Sequence, residues 1–261
     1  MFLPTQPQPL NQALPQAPAL PQHRANPLPR PTAPLSRYGA APVHPAVNTA
    51  LSSLNPSLLQ DLQRFHPSSP QRELLEVLAA CIRHTQALAL DLDGPHGRFT
   101  LSVFPLDSMM HCALALDELL DGGLAGLQVL QVRPASLQPP AQALLQALNG
   151  QPGYLPLRPM LWLTALYGNR ESLLPELAGK AAYRVSPSLV LDGLDVPGAM
   201  AACITQLRRQ TSNLAEVARW QGIGAARAMR LLNALYLQAG LIISRSHPAA
   251  TNEGWAGYPG D

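Results

Sequence analysis

The stretch that decides the fold is NLAEVARWQGIGAARAMRLLNALYLQAGLI, at positions 213–242. Its first residue, Asn213, can cap a helix, and Glu216 three residues later can reach back to it, which is the capping-box arrangement. Gly222-Ile223-Gly224 predicts a tight turn, and apolar residues recur after it at three- and four-residue spacing. The pattern therefore predicts two helices joined by a glycine turn.

The flanking residues extend this pattern in both directions. Residues 197–210 predict a further helix, because apolar side chains recur on one face. The helix after the turn is predicted over 225–239, and a left-handed residue at Gly240 should end it. Leu241 to Arg245 is then predicted as a strand. The residues expected to be buried in the two longer helices are Met200, Ile204, Leu207, Ala228, Leu231, Leu232, Leu235 and Ala239.

The order helix, helix, glycine turn, helix, strand resembles the winged helix-turn-helix superfamily, and residues 197–246 carry the resemblance. Winged helices that bind DNA place the third helix in the major groove and touch the backbone with the following hairpin. The resemblance therefore implies that Arg227 and Arg230 contact the groove. The candidate phosphate contacts are Arg208, Arg209, Arg219 and Arg245.

Other features of the same residues favour a protein partner. Outward positions near the start of the third helix hold Ala225, Ala226 and Met229, which read bases poorly compared with Arg, Asn or Gln. The predicted strand is followed by Ser246-His247-Pro248 without a clear return strand, so the wing looks incomplete. Exposed aromatic and aliphatic side chains suit a protein interface. The candidate interface residues are Trp220, Met229 and Leu237, of which Trp220 and Leu237 are expected to be exposed.

Proline content divides the chain. Residues 1–56 hold thirteen of the 28 prolines, which predicts a disordered arm, either a spacer or a PxxP-type ligand such as PLPRPTAP at 27–34. A mixed body over 57–196, a winged-helix-like module over 197–247 and a flexible tail over 248–261 should follow. The predicted fold class is α/β or α+β, a small mixed domain followed by the helical module.

Charge is unevenly distributed along the chain. Residues 61–196 carry nine basic and thirteen acidic residues, a net charge of −4. Residues 197–247 carry six arginines against Glu216 alone, a net charge of +5. The first sixty residues contain three arginines and no acid. The basic residues therefore concentrate at the two ends, and Lys180, the only lysine, indicates an arginine bias typical of a GC-rich bacterial genome.

The body is predicted to mix helices and strands. The predicted helices cover 70–87, 111–120, 160–167 and 171–179, with Trp162 as a core anchor. The predicted strands cover 87–92, 98–104 and 127–132, and the first two form a hairpin with a long turn at 93–97. Residues 133–156 are predicted as a linker or surface excursion, in which 139–148 could form one helix.

One segment invites an enzymatic interpretation. LALDLDGPHG, at 88–97, resembles the nucleophile strand of haloacid-dehalogenase-like phosphotransferases. That resemblance implies Asp91 as nucleophile and Asp93 as acid/base, with magnesium between carboxylate and phosphate. The family also needs a later lysine and an acidic magnesium motif, for which Lys180 is the sole lysine. Two acids flanking a hairpin turn is the simpler interpretation, and no Ser or Cys nucleophile motif occurs, so we expect no catalytic site.

Cysteine and histidine residues predict neither a metal site nor a cofactor. Cys81-x-x-His84 and His111-Cys112 could be combined into a zinc site, but adjacent residues such as His111 and Cys112 point to different sides of an element. Cys81 and Cys112 are better interpreted as small core residues. Three widely spaced cysteines indicate a reducing compartment, and no secretory signal or run of about 18 apolar residues occurs, so we predict a cytoplasmic protein without a membrane segment.

These observations support three hypotheses of different class. The leading one is a non-enzymatic regulatory or scaffold protein that binds another protein through its C-terminal helices. The first alternative is a transcriptional regulator that reads DNA with helix 225–239, and a magnesium-dependent phosphotransferase centred on Asp91 and Asp93 is a distant third. The identity of the partner and the oligomeric state stay open.

Overall fold

A computed structural model describes residues 54–64, 73–121, 123–139 and 153–252, all within one compact unit that spans 45–261. These residues form a mixed α/β structure, as predicted. The described helices are α1 (Pro56–Arg64), α2 (Leu74–His84), α3 (Leu116–Asp121), α4 (Leu157–Tyr167), α5 (Gly198–Arg209), α6 (Leu214–Arg219) and α7 (Gly224–Leu237). The strands are β1 (Leu88–Gly94), β2 (Gly97–Phe104), β3 (Met109–Cys112), β4 (Gln128–Pro134), β5 (Tyr154–Pro156), β6 (Lys180–Val185), β7 (Leu241–Ser244) and β8 (Thr251–Asn252).

Three predictions fall on parts of the chain outside the described residues. They are the proline-rich arm up to residue 53, the helix suggested at 139–148 from residue 140 onward, and the tail from residue 253 onward.

The larger sheet has five antiparallel strands in the order β4-β1-β2-β3-β5. The predicted hairpin of β1 and β2 is present, and its turn is short, because Gly94 pairs with Gly97. Along β1, Leu88, Leu90 and Leu92 are buried on one face, while Asp91 and Asp93 are half-buried on the other. This alternation follows from the two-residue period of a strand and gives the sheet one apolar face.

The apolar face of this sheet is continuous with a core built from helices. Within α4, Trp162 is fully buried, as predicted, and its indole N–H donates a hydrogen bond of 2.8 Å to the carbonyl of Asp195. A buried tryptophan normally needs such an acceptor. Residue 195 precedes α5, so this bond joins the body to the start of the C-terminal helices.

The smaller sheet has three strands in the order β7-β6-β8. β6 lies in the middle and pairs antiparallel with both neighbours. Tyr183 of β6 also exchanges two backbone hydrogen bonds with Ser212, which lies between α5 and α6. The central strand therefore comes from residues 180–185, before the start of the predicted C-terminal module.

The helix predicted over 111–120 was wrong in its first half. His111 and Cys112 belong to β3, where His111 pairs with Ser102 of β2 and with Tyr154 of β5. Only α3 is helical, and it begins at residue 116. The strand ladder satisfies the backbone groups of 109–112 on both sides, which outweighs the local helix preference.

The helix predicted over 171–179 was also wrong. This segment is a series of turns, and Pro175 lacks the N–H that a helix interior would require. Side chains from other elements satisfy its backbone instead. Arg170 donates to the carbonyls of Ser172 and Leu173, at 3.0 and 2.7 Å, and its guanidinium pairs with Glu73 and Glu76.

The end of α7 differs from the prediction by one residue. Ala239, expected to be buried, is exposed and has the left-handed φ of +53°, whereas Gly240 does not. Gly240 is required for another reason, since a Cβ there would lie 2.5 Å from a methyl group of Leu189. The chain therefore turns at Ala239 and packs closely at Gly240.

Candidate interaction surface

The second helix of the predicted motif begins as the sequence indicates. The side chain of Asn213 accepts a 2.8 Å hydrogen bond from the Glu216 N–H, and the Glu216 carboxylate accepts one of 3.2 Å from the Asn213 N–H. The Asn213 amide also donates to the carbonyl of Ala249. This capping box orients α6 and ties its start to the residues between β7 and β8.

The turn between α6 and α7 packs closely against α5. Gly222 and Gly224 have φ values of +79° and +71°, the left-handed region that favours glycine. A Cβ at Gly222 would lie 3.2 Å from the Cβ of Ala199, in the first turn of α5. Ile223, between the two glycines, is buried. The glycines thus let the turn anchor Ile223 while its other residues face solvent.

Helix α7 runs antiparallel to α4. Near one end, the Arg230 guanidinium donates a 2.7 Å hydrogen bond to the carbonyl of Leu166. Near the other, Gln238 and Arg158 exchange two hydrogen bonds of 3.0 Å each. The hydrogen bonds between α4 and α7 therefore extend from Arg230, in the middle of α7, to its C-terminal end.

One side chain that the sequence analysis did not single out fixes this packing. Asn233 is fully buried, and its carbonyl oxygen accepts a 2.8 Å hydrogen bond from the Leu174 N–H. Its amide donates a 2.9 Å hydrogen bond to the carbonyl of Ser172. A buried polar group in an apolar helix needs such partners. The only sequence signal was an asparagine inside the apolar run LLNALYL.

The face of α7 that carries Arg230, Asn233 and Leu237 is covered by the rest of the chain. These residues are spaced by three and four, so they lie on one side of the helix. Leu237, which we expected to be exposed, is only 6% exposed, because this side of the helix faces α4 and the 172–174 segment. That expectation was wrong. The exposed part of α7 is its first turn, residues 224–227.

Three of the six candidate arginines bind backbone carbonyls of other elements. Arg208 donates to Leu189 at 2.8 Å, and Arg230 to Leu166 as described. Arg245 donates to Ala178 and Lys180, at 2.6 and 3.0 Å. A guanidinium has five N–H donors, so these arginines serve to join segments of irregular backbone.

The other three candidate arginines face solvent. The side chains of Arg209 and Arg219 form no hydrogen bond or ion pair with any residue that the structure describes. Arg227 donates one hydrogen bond of 3.2 Å to the carbonyl of Gly222, within its own turn. Trp220, which we expected to be exposed, is half-buried, and so is Met229. We call residues 219–227 the corner, since they bring Arg219, Trp220 and Arg227 to one end of the helix pair.

The strand that follows α7 does not form a hairpin with the next strand. β7 pairs with β6, and β8 lies on the opposite edge of β6. The residues between β7 and β8 therefore connect strands that are not neighbours in the sheet. Nothing local in the residues of β6 shows which partner this strand will take.

The two acids of the LALDLDG segment lie on the polar face of the five-stranded sheet. Thr100 and Arg133 donate to one oxygen of Asp91, at 2.7 and 3.1 Å, and Arg133 also donates to the other oxygen at 3.2 Å. The Arg133 guanidinium holds the pKa of Asp91 below its usual value. Asp93 lies opposite Arg98 in the register of β1 and β2. Asp91 is thus an ion-paired carboxylate within an antiparallel sheet.

The cysteines and histidines are not brought together. Cys81, Cys112 and Cys203 are free and buried, and burial raises the pKa of Cys81 and of Cys203 to about 12. His84 contacts Asp61 at 2.7 Å, and the ring of His111 meets that of Tyr154 edge-on. Within the described parts of the chain, no group of three His, Cys, Asp or Glu side chains has a geometry that could hold a metal ion.

None of the described helices has the length and apolar character needed to cross a membrane. No protein-family model, curated protein or solved structure matches the chain.

Proposed function

We propose that this chain is a non-enzymatic regulatory or scaffold protein that binds another protein through the corner. The observation that carries the proposal is the packing of α7. Its face with Arg230, Asn233 and Leu237 lies against α4 and residues 172–174, so little more than the first turn is left for a partner. A helix that reads DNA does so with its N-terminal residues, and in α7 these are Gly224, Ala225 and Ala226 beside Arg227.

The composition of the corner supports a protein partner. Trp220 contributes aromatic surface, and Arg219 and Arg227 are exposed. Tryptophan and arginine are enriched among the residues that dominate binding energy at protein interfaces. The exposed small residues between them, such as Ala225 and Ala226, allow close approach but offer no hydrogen-bonding group to a base.

Photo-cross-linking tests this proposal directly. A photoreactive amino acid replaces the exposed Gln221 in the corner, and a control replaces the exposed Asp107 in the turn between β2 and β3. We expect irradiation of the producing cells to give a discrete protein adduct from position 221 and not from 107. The absence of a protein adduct at 221, or the same adducts from both positions, would contradict the proposal.

DNA binding is the second candidate, and one observation favours it. Arg209, Arg219 and Arg227 are exposed on a module with a strong positive charge, and two of them have no partner among the described residues. If DNA is the partner, retention on duplex DNA should fall steeply with salt, because phosphate contacts release counterions. Replacing these three arginines with alanine should then abolish retention. The Arg227→Ala and Arg230→Ala pair is less informative, since Arg230 also bonds to Leu166.

We also propose that the protein is located in the cytoplasm. Three unpaired buried thiols are consistent with a reducing compartment. Fractionation of the producing cells would test it, and recovery of the protein outside the cytoplasm would contradict it.

A further inference from the structure

Among the residues that the structure describes, no Asp or Glu forms an ion pair with the arginines of the corner. No Asp or Glu occurs between positions 217 and 252. The nearest acid before it, Glu216, already accepts the Asn213 N–H in the capping box. Glu171 lies near Arg230, at 3.5 Å, on the covered side of α7. Arg219 and Arg227 therefore face solvent without a carboxylate partner among the described residues.

We propose that the occupant of the corner is an acidic segment of another protein. Its carboxylates would pair with Arg219 and Arg227, and an apolar side chain of the segment would pack against Trp220. Arginine suits this role because its planar guanidinium binds a carboxylate through two parallel hydrogen bonds. This inference rests on the proposed function and names the chemistry of the partner at the same surface.

The chain's own N-terminal arm does not have the complementary charge. Residues 1–60 contain three arginines and no Asp or Glu, so they would be repelled by the corner. A nucleic acid also has the complementary charge. The exposed first turn of α7, however, offers Ala225 and Ala226 to base edges, and alanine has no hydrogen-bonding group with which to read them.

A synthetic peptide tests the inference on the full chain. The probe is a labelled amphipathic peptide with glutamates on one face and leucines on the other, and its counterpart has glutamine in place of glutamate. Binding is followed by fluorescence anisotropy. We expect the acidic peptide to bind, and Arg219→Glu with Arg227→Glu to weaken it by about tenfold or more.

A matched control separates the corner from net charge. Arg98→Glu with Lys180→Glu reverses the same number of charges at exposed positions on β2 and β6, and it should alter the affinity by less than about twofold. Arg219→Gln with Arg227→Gln serves as a milder second variant, and circular dichroism checks that each variant is folded. Equal binding of the glutamine peptide, an equal loss in the Arg98→Glu and Lys180→Glu control, or tighter binding of duplex DNA would overturn the inference.

The cross-linking experiment distinguishes this inference from the proposed function. If the adduct at position 221 is a protein whose contacted segment, mapped by mass spectrometry, contains no Asp or Glu, the inference fails and the proposed function stands. A second copy of this chain as the adduct would also overturn the inference. If no protein is captured and DNA is retained, both fail.

Discussion

Asn233 shows how one polar residue can set the position of a helix. It lies fully buried between α7 and residues 172–174, and it satisfies both the N–H of Leu174 and the carbonyl of Ser172. An apolar residue of similar size would leave the buried Leu174 N–H without a partner, whereas the Ser172 carbonyl would keep the hydrogen bond from Arg170. The cost of such unsatisfied groups exceeds what the hydrogen bonds themselves contribute.

We therefore expect Asn233→Leu to lower the free energy of unfolding by about 1–3 kcal/mol, because the buried Leu174 N–H loses its partner. Chemical denaturation followed by circular dichroism measures this change. Asn252→Leu is the control, since Asn252 is exposed and its replacement should change stability by less than about 0.5 kcal/mol. A loss in Asn233→Leu no larger than in the control would contradict the assigned role.

Asp91 provides a test that depends on pH. Arg133 lowers the pKa of Asp91 in the folded state, so the pair stabilises the fold above the unfolded pKa. That contribution is lost as the pH falls through the folded pKa. Both side chains are about one-third exposed, at 30% and 34%. We expect Asp91→Asn to cost less than about 1 kcal/mol at neutral pH, and the difference from wild type to shrink below about pH 4.

Denaturation curves of both proteins at neutral pH and near pH 3 measure this difference. A difference between wild type and Asp91→Asn that is equally large under both conditions would mean that the ion pair with Arg133 contributes nothing.

At the scale of the elements, the end of α7 depends on two adjacent residues, one with a left-handed backbone and one with no room for a side chain. Ala239 has a left-handed backbone, which costs an L-residue about 1–2 kcal/mol, and Gly240 lies against Leu189. Glycine at 239 would remove this strain. The greater conformational freedom of glycine in the unfolded chain would, in turn, lower the free energy of unfolding by roughly 0.4–1 kcal/mol. The two residues should therefore respond to substitution in opposite directions.

We expect Ala239→Gly to leave stability unchanged or raise it by up to about 1 kcal/mol, because the strain is relieved. Gly240→Ala should lower it by about 1–3 kcal/mol, because the new methyl group would overlap Leu189. Thermal unfolding of the two single variants measures both effects. A larger loss in Ala239→Gly than in Gly240→Ala would show that this account of the helix end is wrong.

At the scale of the molecule, the C-terminal helices depend on residues that precede them. β6 is the central strand of their sheet, and α4 covers the face of α7 that holds Asn233. A fragment of residues 197–261 lacks both elements and exposes that face to water. We expect it to show no cooperative thermal unfolding by calorimetry, in contrast to the full chain. A sharp unfolding transition in the fragment would contradict this dependence.

The reactivity of the three cysteines tests whether the described part of the chain unfolds cooperatively. They lie on α2, β3 and α5, and all three are buried, so a thiol reagent should not reach them in the native protein. Burial also raises the pKa of Cys81 and Cys203 to about 12, which leaves little reactive thiolate near neutral pH. We expect all three thiols to react together as denaturant unfolds the chain. One thiol that reacts much earlier would show that its element opens separately.

Local patterns were sufficient to predict several elements of this protein. The capping box at Asn213, the glycine turn before α7, the β1–β2 hairpin and the buried Trp162 all follow from a few neighbouring residues, and the structure contains each of them. The mixed fold class was predicted in the same way. Arg219 and Arg227 are exposed, whereas Leu237, which was expected to be exposed, is buried.

Only the tertiary structure decided which segments meet. Helix preference at 111–120 yielded to strand pairing on both sides of β3, and the 171–179 segment is held by Arg170, Asn233 and Arg245 instead of by helical bonds. The insertion of β6 beside β7 and the covering of α7 by α4 both join residues far apart in the chain. The physical reason is that adjacent residues satisfy a capping or turn preference. A strand edge or an apolar helix face, in contrast, can pair with many distant segments. Which of these segments binds is decided only when the whole core packs.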